Sequence, residues 1–132
     1  MINNNKENKG GKNMDLFGLL MGGMAPSNNY KEIIKLHEML ENEKIPHTFK
    51  PWMGGYIIRY FGHKELPNDN NYGYQEGVVC SIIEHNISYG HEEDLLEIEG
   101  LTKKGDRMSS GVAGYLTAEE VFNRIKENYE NN

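Results

Sequence analysis

Residues 78–85, VVCSIIEH, constrain the fold of this 132-residue chain more than any other stretch. Five of the eight are Val, Ile or Cys, and they fall on both alternations of an extended chain: Val78, Cys80 and Ile82 on one, Val79 and Ile83 on the other. A strand that is apolar on both sides needs cover on at least part of both faces, so this run is predicted to be a central strand. A polar knot follows, EHNISYGHEED at residues 84–94, and then a second run in which Leu95, Glu97 and Glu99 alternate with Leu96 and Ile98. That alternation fits a strand solvated on one face. Asn86, Ser88 and Gly90 are turn formers, so residues 77–100 are expected to make an antiparallel hairpin with an acidic turn facing water.

The remaining elements arrange themselves around that hairpin. Asn29 followed by Glu32 reads as a helix N-cap with its capping-box partner. Tyr30, Ile33, Ile34, His37 and Leu40 repeat at helical spacing, and the Ile45-Pro46 pair stops the helix near Glu43. His37 reads as a packed residue at the core edge. Residues 47–50 and 56–61 form a strand pair, with Gly54-Gly55 supplying the tight turn. Residues 62–77 lack periodicity and read as a long connection, and 103–114 as a polar loop. Thr117 and Glu120 make a second capping box, with Leu116 positioned to staple onto Val121, opening a helix whose stripe is Ala118, Val121, Phe122, Ile125 and Tyr129.

The expected fold is α+β, a two-layer sandwich of a roughly four-stranded, mainly antiparallel sheet and two amphipathic helices in the order α-β-β-β-β-α. One domain is expected over residues 28–129. Ahead of it, residues 1–27 read as a disordered leader with a short apolar patch at Leu16, Phe17, Leu19 and Leu20, and residues 130–132 as a frayed tail.

Charge and cysteine content narrow the function. The formal net charge is −6 and no block of Lys or Arg occurs in the domain, which argues against duplex nucleic acid as a partner. The single Cys80 excludes an intrachain disulfide and reads as a buried thiol in a reducing cytoplasm. No run approaches the eighteen or more apolar residues of a membrane span.

Two constellations could carry chemistry. In the knot, Cys80, His85 and His91 have the spacing C-x4-H-x5-H, which matches no structural zinc pattern, and the adjacent His91 and Glu92 would point to opposite sides of a strand. His85 or His91 could serve as a general base supported by Tyr89 or Glu84, yet no nucleophile elbow or phosphate-binding glycine loop accompanies them. No catalytic residue, cofactor or metal site is therefore assigned. The candidate contact surface comprises His85, Tyr89, His91, Glu92, Glu93 and Asp94 from the knot, with Trp52, Arg59 and Arg107. The second constellation is aromatic: Trp52, Tyr56, Tyr60, Phe61, Tyr72, Tyr74 and Tyr89. Combined with Arg59 and Arg107 it could hold a small anionic, nucleotide-like ligand, the alternative being ordinary cross-strand packing.

Three phrases carry a family resemblance: SYGHEEDLLEIEGL at residues 88–101, GYLTAEEVFNRI at 114–125 and YKEIIKLHEMLENEKIPHTF at 30–49. Together with the leader phrase MDLFGLLMGG at 14–23, they resemble small accessory proteins of bacteriophages and prophages of low-GC Gram-positive bacteria. The resemblance implies a role in the host cytoplasm or on the virion and assigns no catalytic residue. The expected function is binding of a host or phage protein, with an anti-defence role in view. Sequestration of a nucleotide-like ligand and a place as a minor virion component are the alternatives. A homo-oligomer is compatible with either.

Overall fold

The computed structural model describes residues 29–68, 73 and 75–132; the expected leader, Tyr72 and Tyr74 lie outside them. Along the described chain come α1 (Glu32–Asn42), β1 (His47–Trp52), β2 (Gly55–Tyr60), β3 (Cys80–Glu84), a 3-10 turn (His91–Glu93), β4 (Leu96–Glu99), β5 (Arg107–Ser109), β6 (Val112–Leu116) and α2 (Ala118–Glu130). The strands form an open antiparallel sheet in the order β1-β2-β3-β4-β6-β5. The α+β class stands. β3 lies between β2 and β4 in the interior of the sheet, as its apolar pattern requires.

The sheet has six strands where about four were expected. The additional pair, β5 and β6, falls in and just after the stretch read as a polar loop. Ser110 (φ 52°) and Gly111 (φ 85°) join them, two successive positive φ angles that suit a two-residue hairpin turn. Ala113 and Gly114 are weak strand formers, which hides β6 in the sequence. Gly114 is required by contact: a Cβ there would stand 2.2 Å from Cδ2 of Tyr89. A bulge accompanies it, because Leu96 pairs with Leu116 but Ile98 pairs with Ala113. Gly114 and Tyr115 thus stand opposite Glu97 alone, and Tyr115 takes a left-handed φ of 62°.

Both helices lie on one face of the sheet. Ile33, Leu36 and Leu40 of α1, and Val121, Phe122 and Ile125 of α2, share one buried cluster with Tyr56, Ile58, Tyr60, Cys80, Ile82, Leu96 and Ile98. Each fully buried Ile or Leu contributes about 1.5–3 kcal/mol. Burial pushes the Cys80 thiol up to about 12, so it is an inert packing group. The first hairpin turns at Met53 and Gly54, one residue earlier than expected, and Pro51 is accommodated because β1 is an edge strand.

The two helix starts differ. α2 begins with the expected capping box: Glu120 N–H donates to Thr117 Oγ1 at 3.1 Å and Thr117 N–H to Glu120 Oε1 at 2.8 Å. α1 does not begin at an Asn29 cap. Its boundary residue is Lys31, which offers no side-chain acceptor, and the first donors are satisfied from elsewhere in the fold. Lys31 and Glu32 N–H groups donate to Asp94 Oδ1 at 3.0 and 3.1 Å, and Ile33 N–H to Glu84 Oε1 at 3.2 Å. Glu32, expected to serve its own helix, accepts instead from Ala118 N–H of α2 at 2.6 Å. Among the described residues no helix is long and apolar enough to cross a membrane.

Candidate functional site

With both helices on one side, the other face of the sheet is lined by alternate residues of four strands. The registers set Thr48, Arg59, Ser81 and Glu99 side by side in one row, and Lys50, Ile57, Ile83 and Glu97 in the next. Charge therefore runs across the face, from cations on β1 and β2 to carboxylates on β4. Trp52 closes one end. Two concavities of about 560 and 240 Å3 lie here, and both are lined by Arg59, Ser81 and Glu99, so they form one continuous trough. Arg59 donates from a guanidinium nitrogen to Gln75 Oε1 at 2.8 Å; burial lowers its pKa, though a guanidinium stays charged.

A third concavity of about 390 Å3 adjoins the trough at Glu97 and is bounded by Tyr89, His91, Glu92 and Ser109. Here the bulge turns Tyr115 outward. Its hydroxyl donates to Glu92, its ring meets that of Tyr89 edge-on at 5.0 Å, and the Arg107 guanidinium lies 3.6 Å above it. The hydrogen bond from Tyr115 holds the Glu92 carboxyl below its ordinary range. Tyr115 went unnoticed in the sequence, since only the unexpected bulge delivers it to this cluster.

The nine residues singled out from the sequence thus separate. Trp52 and Arg59 line the trough; Tyr89, His91, Glu92 and Arg107 belong to the adjoining cluster, and Glu93 is exposed beside it. Arg59 on β2 and Arg107 on β5 stand four strands apart in the sheet. His85 is buried, with Nδ1 accepting from Ile87 N–H at 3.3 Å and its ring edge-on to Trp52, so it supports the turn from within. Asp94 is the largest correction. Expected at an exposed acidic tip, it caps α1, held at a left-handed φ of 55°.

Beside Asp94 sits Glu84, with no exposed surface. As a carboxylate its Oε2 would have no partner among the described residues; protonated, it donates to Asp94. Burial first, then the hydrogen bond with Asp94 and its charge, push the Glu84 pKa up to about 9. The pair is a latch on the start of α1.

One cluster among the described residues could hold a metal ion: His37, Glu41 and His47, whose ligand atoms lie within 4.8 Å of one another. His37 was expected at the core edge, and it does stack on Phe49 at 4.0 Å. The helical i, i+4 spacing of His37 and Glu41 is visible in the sequence, but the approach of His47 depends on the chain reversal at residues 43–46.

No protein family, curated protein or solved structure matches this chain.

Proposed function

We propose that this chain is a non-catalytic phage or prophage accessory protein that captures a host or phage protein on the helix-free face of its sheet, in the host cytoplasm. The observation that carries the reading is the trough itself. It is a continuous surface with a central arginine, an aromatic end and a carboxylate edge, while the opposite face is consumed by the helices. Such a face suits a partner that sets basic side chains against Glu97 and Glu99, with Trp52 as the aromatic anchor and the buried Arg59 holding the floor of the trough through Gln75. The net charge of −6 favours encounter with a basic surface.

The test is affinity capture from host lysate with wild type and two variants of matched circular dichroism. Trp52→Ala with Glu99→Lys should abolish capture of the specific partner, whereas Glu38→Lys with Glu127→Lys, on exposed helix positions, should leave it intact. Undiminished capture by the first variant sinks the proposal.

A small anionic ligand is the second reading, favoured by a concavity within the ~300–1,000 Å3 typical of ligand pockets and floored by Arg59. Glu99 on the same wall weighs against an anion. A thermal-shift screen with linear and cyclic nucleotides separates the two, because a ligand raises Tm only when it binds the folded state.

A further inference from the structure

We propose that His37, Glu41 and His47 form a binding site for one divalent transition-metal ion of the zinc class, at the C-terminal end of α1. The three side chains supply two imidazole nitrogens and a carboxylate oxygen, a donor set suited to Zn(II) with a fourth position left to water. His37 and Glu41 stand four residues apart on one face of α1, and His47 opens β1 beside them.

The hydrogen bonds fix which atoms face the ion. His47 Nδ1 lies 2.8 Å from the Ile45 carbonyl, which can only accept, so the proton is on Nδ1. That leaves the Nε2 lone pair of the neutral ring directed at His37 Nδ1, 2.8 Å away, with Glu41 Oε2 at 3.7 Å. A backbone carbonyl that holds the far nitrogen of a histidine is the outer-sphere partner that metal-ligating histidines use. Around tetrahedral zinc with bonds near 2.05 Å, neighbouring ligand atoms stand about 3.3 Å apart. The distances from His47 Nε2, 2.8 Å to His37 and 3.7 Å to Glu41, fall on either side of that value, and all three ligand atoms lie within 4.8 Å of one another, so the histidine pair opens and Glu41 swings inward to complete the set.

The surroundings favour such an adjustment. His47 is held, its side chain only 1% exposed, while the Glu41 side chain is 63% exposed and can swing inward. His37 is half-buried against Phe49, so its ring plane is set while its Nδ1 edge faces the cluster. The last turn of α1 contains no basic side chain, so an ion here would supply the positive charge that a helix C-terminus favours. Without the ion, His37 Nδ1–H donates to His47 Nε2; the ion takes the place of that proton, which passes to His37 Nε2 as the ring changes tautomer.

The experiment uses the full chain without a histidine tag. Titration with Zn(II), followed by calorimetry, should give saturable binding of one ion per chain, and Co(II) should develop the visible absorption of a four-coordinate site. Glu41→Gln, at an exposed position that leaves the core untouched, and His37→Gln should each weaken Zn(II) by more than the roughly 10–100-fold that loss of an outer-sphere partner costs. His63→Gln and His91→Gln should bind as wild type. The proposal is overturned if wild type shows no saturable uptake, if the Glu41 and His37 variants titrate like wild type, or if the His63 or His91 variant loses the ion instead. Imidazole nitrogen NMR gives an independent readout: Zn(II) should shift His37 Nδ1 and His47 Nε2 and leave His85 unmoved.

Discussion

Replacing Glu84 by Gln should make this protein more stable at neutral pH, by an amount that grows with pH. The folded carboxyl has a pKa of about 9 against an ordinary value of 4.5. A group whose pKa is raised by folding binds its proton more tightly in the native state. Its contribution is therefore fully present below about pH 4.5 and is lost as pH rises towards the folded value near 9. Within that window each pH unit removes ~1.4 kcal/mol, so roughly 3 kcal/mol is lost between pH 5 and pH 7 from this group alone. Glutamine keeps an acceptor for Ile33 N–H and offers an N–H to Asp94, yet has no proton to lose. Urea unfolding of both proteins from pH 5 to pH 8 isolates the effect, because every other titrating group is common to the two. The curves should nearly coincide at pH 5 and separate in favour of Glu84→Gln by about 3 kcal/mol at pH 7. Parallel curves across the range would refute the neutral, proton-donating Glu84.

Two further substitutions test the packing around the same region. Gly114→Ala should cost about 1–3 kcal/mol by thermal denaturation, since its Cβ would force the Tyr89 ring off β6. Asp94→Ala should cost about 0.5–2 kcal/mol through loss of the α1 cap, whereas Glu93→Ala, one residue earlier and exposed, should stay within about 0.5 kcal/mol of wild type by urea titration.

What the sequence disclosed was whatever lies within one element. The double alternation of residues 78–85 pointed to an interior strand, and Thr117 with Glu120 marked α2 to the residue, because both signals depend on neighbours a few positions apart. The failures share the opposite property. Asp94 and Glu84 look like parts of an acidic surface until the fold brings them to a helix start 62 and 51 residues away. β6 was hidden because Gly114 is chosen for the Tyr89 ring above it and not for strand propensity. Of the candidate surface, Trp52 and Arg59 come together because β1 runs on to Trp52, past the Lys50 end expected from the sequence, and its register turns both residues to the same face. The separation of Arg59 from Arg107 follows from sheet order, which no local pattern encodes.

The exchange of caps between distant elements has a consequence for how the molecule opens. Asp94 holds the start of α1, and Glu32 of α1 holds the start of α2 at Ala118. Neither contact can be lost without loosening the next element in the chain of support. The 91–94 turn and the first turns of both helices should therefore exchange their amide hydrogens as one cooperative unit, with a shared opening free energy. A binder that clamps the 91–94 turn would then slow exchange in α2, a helix it does not touch, and so stabilise the helical layer.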